Sequence, residues 1–223
     1  MKEISIFDVI GPNMIGPSSS HTAGALRIAL MVKKIVNTRI KMAKFVLYGS
    51  FAKTYKGHGT DKALVAGILG MPTEDERIKD AFFYASKEGL TYSFDVNEES
   101  TEYHPNTVDV IVTDEYDDVT TITGSSIGGG NIKIIKINGM EVEFTGEYYT
   151  LLIKQKDTPG IAAHITKCLS EYDINIAFMR LYREDKGTVA YTIIETDEHI
   201  NEGVIEKIKE NKSIVDVKII EGM

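Results

Sequence analysis

Between residues 149 and 220 six periodic segments follow one another as strand, helix, strand, strand, helix, strand, and few folds accept that order. The alternation over 149–156 predicts a strand, and Asp157-Thr158-Pro159-Gly160 a turn. A helix to about Tyr172 follows, with Ile161, Ile165, Cys168 and Leu169 on one face. Strands over 175–183 and 189–196 flank a loop containing Lys186-Gly187, and a helix near 202–211 leads to a last strand over 214–220. Such a βαββαβ chain closes by laying two helices on one face of a four-stranded sheet.

The earlier residues have another rhythm. An apolar run over 4–10 ends at Gly11-Pro12-Asn13. The loop Gly16-Pro17-Ser18-Ser19-Ser20-His21-Thr22 opens a helix over about 23–36, with Leu26, Leu30 and Ile35 inward and Arg27, Lys33 and Lys34 outward. A buried strand over 45–48 runs into a turn at Gly49-Ser50, and a second Gly-rich turn, Gly57-His58-Gly59-Thr60-Asp61, opens a second helix to about Leu69. Thr73 followed by Glu76 is the signature of a capping box for a third helix, with Ile78, Phe82 and Ala85 inward. Strands are expected over 92–96, 108–113 and 119–123, and 124–130 reads as too rich in glycine for the interior of any element. Asn138-Gly139 marks a hairpin between 132–137 and 140–144. The boundary falls at Gly146-Glu147, giving domains 1–146 and 148–223 and an α+β fold class: a mixed α/β domain followed by a ferredoxin-like βαββαβ domain.

Composition narrows the function. The formal charge of −8, with no basic stripe, argues against nucleic acid as a partner. No apolar run has the roughly 18 residues of a membrane span, and Met-Lys-Glu-Ile-Ser-Ile lacks a signal-peptide core, so a cytoplasmic protein with no membrane partner is expected. One cysteine can form neither an internal disulfide nor a thiolate cage for a metal.

The loop at 16–22 concentrates the chemistry. The hydroxyls of Ser18, Ser19, Ser20 and Thr22 stand just before a helix whose first N–H groups are free, an arrangement that suits a carboxylate or phosphate. His21 beside them titrates near neutrality and can move a proton. The plainer alternative is a Ser/Thr helix cap, although three adjacent serines and a histidine exceed what a cap needs. Gly57, His58, Gly59 and Thr60 repeat the arrangement, with flanking glycines that admit a ligand to the backbone; its plain alternative is Thr60 or Asp61 as an ordinary N-cap. Two such loops in one small domain are expected to face one pocket. Ser125-Ser126-Ile127-Gly128-Gly129-Gly130 lacks a P-loop lysine, and His104-Pro105-Asn106 on its own reads as a solvent-facing turn. A serine hydrolase is disfavoured because no Gly-x-Ser-x-Gly elbow surrounds the serines. Cys168 reads as core, and His164 and His199 as surface.

Phe7-Asp8-Val9-Ile10-Gly11-Pro12 leading into Gly16-Pro17-Ser18-Ser19-Ser20-His21-Thr22-Ala23-Gly24 resembles the start of the β chain of bacterial iron–sulfur L-serine dehydratases. Tyr48-Gly49-Ser50-Phe51-Ala52, Gly57-His58-Gly59-Thr60-Asp61, His104-Pro105-Asn106 and Ser126-Ile127-Gly128-Gly129-Gly130 fall in the matching order. The resemblance covers about the first 145 residues, and a related domain is the allosteric substrate-binding domain of phosphoglycerate dehydrogenases. It implies conversion of L-serine to pyruvate and ammonia without pyridoxal phosphate, by a [4Fe–4S] cluster that a separate α chain must hold, since this chain has only Cys168. It also implies His21 and His58 as catalytic residues, and Ser18, Ser19, Ser20, Thr22, Gly57, Gly59, Thr60, His104 and Asn106 as substrate-binding ones.

The last 75 residues resemble an ACT domain through Asp157-Thr158-Pro159-Gly160 and Asp173-Ile174-Asn175-Ile176. In serine-sensing ACT domains an effector sits at positions that correspond here to Gln155, Asp157, Gly160 and Asn175. The resemblance implies an amino-acid or cation effector, with a purely structural pairing module as the alternative; edge-to-edge dimerisation is compatible with both. A rival reading of the whole chain is a non-catalytic, amino-acid-binding regulatory protein. A colourless dimer needing no partner would favour that rival, and a brown complex with a cysteine-bearing chain the enzyme.

Overall fold

A computed structural model describes residues 13–97, 103–183 and 185–222; the apolar run at 4–10 lies outside them. The chain divides into two units between Thr145 and Gly146.

In the first unit a π-helical turn, Ser19–Ala23, continues into α1, Gly24–Val36. Strand β1, Ile40–Tyr48, is followed by α2, Gly49–Thr54, and α3, Thr60–Ile68. A 3₁₀ turn, Glu76–Asp80, leads into α4, Ala81–Glu88. Strands β2 (Thr91–Asn97), β3 (Thr107–Asp114), β4 (Val119–Gly128), β5 (Asn131–Ile137) and β6 (Met140–Phe144) complete the unit. They form one sheet in the order β2-β1-β3-β4-β5-β6. Among the described residues only the β1–β2 pair is parallel, because α2, α3 and α4 separate those strands in sequence and carry the chain back across the sheet.

The amphipathic helix expected over 23–36 is buried on nearly every side: Ala25, Leu26, Ile28, Ala29, Met31 and Val32 are all within 1% of full burial. It lies between the sheet and α3, so its apolar stripe widens into two faces. The close seat on the sheet explains the first correction. Residues 124–128 were expected to interrupt the strand, yet β4 runs through them and buries Ser125 and Ser126. A Cβ on Gly124 would lie 2.6 Å from Ile28 Cγ2, and one on Gly24 would lie 2.7 Å from Ser126 Cβ. Small residues let α1 approach the ladder, and the ladder supplies the order that their propensities lack.

Three local expectations also change. Thr73 caps nothing: its hydroxyl donates to the Asn13 carbonyl at 3.0 Å, while Asp75 accepts from Arg77 N–H and starts the 3₁₀ turn. The cap of α3 is neither Thr60 nor Asp61 but Gly59, whose φ of +67° suits a residue without a side chain. Gly49-Ser50 opens the short α2 rather than a turn.

The second unit has the expected order: β7 (Tyr149–Lys156), α5 (Ile161–Glu171), β8 (Ile176–Arg183), β9 (Val189–Thr196), α6 (Glu202–Lys209) and β10 (Ile214–Ile220). Its antiparallel sheet runs β10-β7-β9-β8. Ile161, Ile165, Cys168 and Leu169 of α5 pack with Val204 and Ile208 of α6 against Leu151, Ile153, Ile194 and Val217 of the sheet. Cys168 is a free, buried thiol, as its place on the apolar face predicts, and burial pushes its pKa up. His199 is exposed, whereas His164 is half-buried with Nε2 3.0 Å from the Ile208 carbonyl. Among the described residues no helix is long and apolar enough to cross a membrane.

Candidate active site

Ser18 is the N-cap of the π-turn; its Oγ accepts the His21 backbone N–H at 3.1 Å. The plain reading of this hydroxyl as a cap is therefore right for Ser18, but the same oxygen also lies 3.3 Å from His21 Nδ1. His21 Nε2 lies 2.9 Å from Ser50 Oγ, delivered by the first turn of α2. Ser18 Oγ, which already accepts from the backbone, and Ser50 Oγ can each donate to the ring or accept from it, so the pair of hydroxyls holds either tautomer. Burial lowers the His21 pKa below the ordinary 6.5, and the neighbouring His58 lowers it further. The imidazole is therefore neutral at neutral pH and able to take a proton.

The two histidine loops do meet. The His21 and His58 rings stand 4.7 Å apart, and Thr22 Oγ1 donates to the His58 carbonyl at 3.0 Å. A cavity of about 310 Å³ is lined by Gly16, Pro17 and Thr22 from one loop and Gly57, His58 and Gly59 from the other, whereas Ser18, Ser19, Ser20, His21 and Thr60 do not line it. Its wall also carries Lys56, Asp61, Lys62 and Lys79, none of them anticipated as site residues. Lys62 Nζ donates to the Lys79 carbonyl at 2.7 Å, and burial raises the Asp61 pKa. The excess of lysines makes the cavity attractive to an anion.

The His104-Pro105-Asn106 turn is clasped by its neighbours. Ser50 N–H donates to the Pro105 carbonyl at 2.6 Å and Ser126 N–H to the Asn106 carbonyl at 2.9 Å. His104 is exposed, and its Nδ1 accepts Asn106 N–H at 3.2 Å, so it shapes the turn that presents Asn106. Among the described residues four buried side-chain atoms have no hydrogen-bond partner: His58 Nδ1, Thr60 Oγ1, Asn106 Oδ1 and Ser126 Oγ. Each unpaired buried polar atom costs about 1–3 kcal/mol, so four of them within the recognised segments ask for a ligand. Ser19 and Ser20 are half-buried. Sequence reasoning missed Ser50 and Ser126 as site residues, although each lies inside a segment that carries the family resemblance.

Each of the four positions read as an effector site in the second unit has its own surroundings. Gln155 is buried and accepts from Thr192 Oγ1 at 3.1 Å. Asp157 accepts from Gly187 N–H at 3.1 Å and Arg183 Nη1 at 3.3 Å, and these donors hold its carboxyl below the usual carboxylate range. Gly160 caps α5 with φ +88°. Asn175 is exposed and lines a shallow depression with Thr166, Ser170 and Asp173 that includes none of the other three.

A mixed sheet with its polar groups at the strand ends, joined to a βαββαβ unit, places the molecule among two-domain ACT proteins; residues 149–212 match the ACT domain and residues 5–89 the serine dehydratase beta chain. The chain is 40% identical to the probable L-serine dehydratase beta chain of Bacillus subtilis, over 97% of this chain and 98% of that one. It is also 40% identical to the L-serine dehydratase beta chain of Peptoniphilus asaccharolyticus, over 92% of each. A D-3-phosphoglycerate dehydrogenase of Bacillus subtilis is 26% identical over 87% of this chain and 37% of its own length. The chain belongs to the family of bacterial L-serine dehydratase β chains.

Proposed function

We propose that this chain is the β subunit of a two-chain L-serine dehydratase, a lyase that converts L-serine to pyruvate and ammonia. The observation that carries the reading is the His21–His58 pair, its rings 4.7 Å apart, together with the unpaired buried atoms on His58, Thr60 and Asn106. An amino acid offers what they lack: a carboxylate to accept from hydroxyls, and an ammonium group to donate to an amide oxygen. The carboxylate is assigned to Thr60 and to Ser19 and Ser20 at the start of the π-turn, Ser18 being held by the His21 backbone and ring, and proton transfer to neutral His21 with His58 beside it.

The residues present do not fit an iron–sulfur cluster. Among the described residues no three His, Cys, Asp or Glu side chains gather as a metal site, and the single cysteine is buried in the second unit. The [4Fe–4S] cluster is accordingly assigned to an α chain, and this chain supplies one wall of a composite site. Anaerobic reconstitution with the α chain, iron and sulfide is expected to yield a brown complex that forms pyruvate from serine. A colourless chain that turned serine over alone at the rate of the complex would overturn the assignment.

Two expectations follow from the geometry. Ser19→Ala is expected to raise the serine KM about tenfold with kcat within twofold, since it removes one donor worth about 1–3 kcal/mol. An unchanged KM would reduce Ser19 to a structural residue. The acid limb of activity should have its midpoint below 6.5, because falling pH protonates a base whose pKa burial and His58 both lower. His58→Gln removes the second of those causes, so the His21 midpoint, followed by NMR in the isolated chain, should rise toward 6.5. A midpoint that stays put or falls would refute the coupling.

A further inference from the structure

Behind the site, on the opposite face of the sheet, lies a second polar cluster with no part in the chemistry above. Leu47, Val108 and Gly124 are aligned across β1, β3 and β4 and share the face that α1 covers. Val46, Asp109 and Thr123 are aligned one step along and point the other way, as does Tyr48. Tyr48 is 8% exposed, and its hydroxyl donates to Asp109 Oδ2 at 2.6 Å. Thr123, 3% exposed, donates to Asp109 Oδ1 at 2.6 Å. Both carboxylate oxygens thus take short hydroxyl donors. The Tyr103 ring stands edge-on to Tyr48 at 5.1 Å, and Lys136 Nζ donates to the Tyr103 hydroxyl at 3.0 Å.

Two strand ends meet here. Tyr48 is the N-cap of α2, and Ser50, two residues on, holds His21 Nε2. Asp109 lies three residues after Asn106, beyond the turn whose Pro105 carbonyl accepts Ser50 N–H. We propose that Tyr48 and Asp109 are positioning residues of the active site: their hydrogen bond ties the end of β1 to the start of β3 and so holds Ser50 against His21 and steadies the turn that carries Asn106. Neither residue touches substrate in this scheme. Burial and the Asp109 carboxylate push the Tyr48 pKa far up, so the phenol remains a donor at every working pH. The groups facing His21 itself are Ser18, Ser50, Phe51 and His58.

The inference rests on the serine dehydratase reading for its kinetic consequence but not for its structural one, and two measurements separate them. In the isolated chain, Tyr48→Phe is expected to free Ser50 from His21 and admit water, moving the His21 imidazole midpoint upward by roughly half a pH unit on NMR titration. In the complex with the α chain, the same variant should lose about tenfold in kcat with serine KM within twofold, the pattern of a group that aligns a catalyst rather than binding substrate. Asp109→Asn keeps an acceptor for Tyr48 and should recover kcat to within about threefold of the parent, whereas Asp109→Ala should not. If Asp109→Ala fails to fold, Tyr48→Phe, which removes a single oxygen, carries the test. A folded Tyr48→Phe chain with parental His21 titration and parental kcat overturns the proposal. A parent complex inactive on serine would overturn the functional reading alone, with the titration still deciding the role of Tyr48.

Discussion

Replacing His21 with alanine is expected to lower turnover of serine by the assembled complex about a thousandfold, in the range that a positioned acid–base group supplies. The ring is held at both nitrogens by hydroxyls, 3.3 Å from Ser18 Oγ and 2.9 Å from Ser50 Oγ, and its lowered pKa keeps it neutral and receptive at neutral pH. A histidine serving only as filler would not need two oriented partners from different segments. The ring is half-buried and meets Phe51 edge-on at 5.5 Å, so its loss costs packing of about 1 kcal/mol and leaves the fold intact. Assembly with the α chain, measured by size-exclusion chromatography, should be unchanged, while pyruvate formation falls. A variant within tenfold of the parent would remove His21 from proton transfer.

The largest effect on stability is expected from Gly67→Ala. This residue lies where α3 crosses α1, and an added Cβ would stand 2.6 Å from Ala29 Cβ and 2.9 Å from Leu30 N while also striking the Leu26 carbonyl. Most of those atoms are backbone, so no side chain can swing away; one helix has to move, and the core of both moves with it. Overpacking of this kind costs about 3 kcal/mol, which lowers Tm by roughly 10 °C in a unit of this size. Gly57→Ala is the control: its Cβ would meet only the Thr54 carbonyl, at 3.7 Å, and thermal unfolding should match the parent within about 1 °C. Equal melting of the two variants would show that the α1–α3 approach is looser than the structure has it.

Much of this molecule was legible in its residues because the relevant signals are local. The order of elements in the second unit, the Asn138-Gly139 hairpin, the buried face with Cys168, and the serine–histidine and glycine–histidine loops all follow from short-range periodicity and turn chemistry. Local reasoning failed where packing overrides propensity. The stretch 124–128 is a poor strand by composition and becomes one because α1 presses on it and β3 and β5 flank it. The Thr73 and Glu76 pair had the right spacing for a capping box, but the Thr73 hydroxyl donates to the Asn13 carbonyl, 60 residues away in sequence, and Asp75 takes the cap.

The sequence by itself determined which chemistry is available: hydroxyls beside a histidine, a second histidine between glycines, an acidic surface and one thiol unfit for a metal. Only the tertiary structure decided how that chemistry is assembled. It set the two imidazoles 4.7 Å apart, brought Ser50 to His21 across 29 residues, and, among the described residues, left four polar atoms buried without partners. The physical reason is that donors and acceptors are encoded residue by residue, whereas their pairing depends on which strand ends the sheet brings together, a property of long-range register that no window of sequence contains.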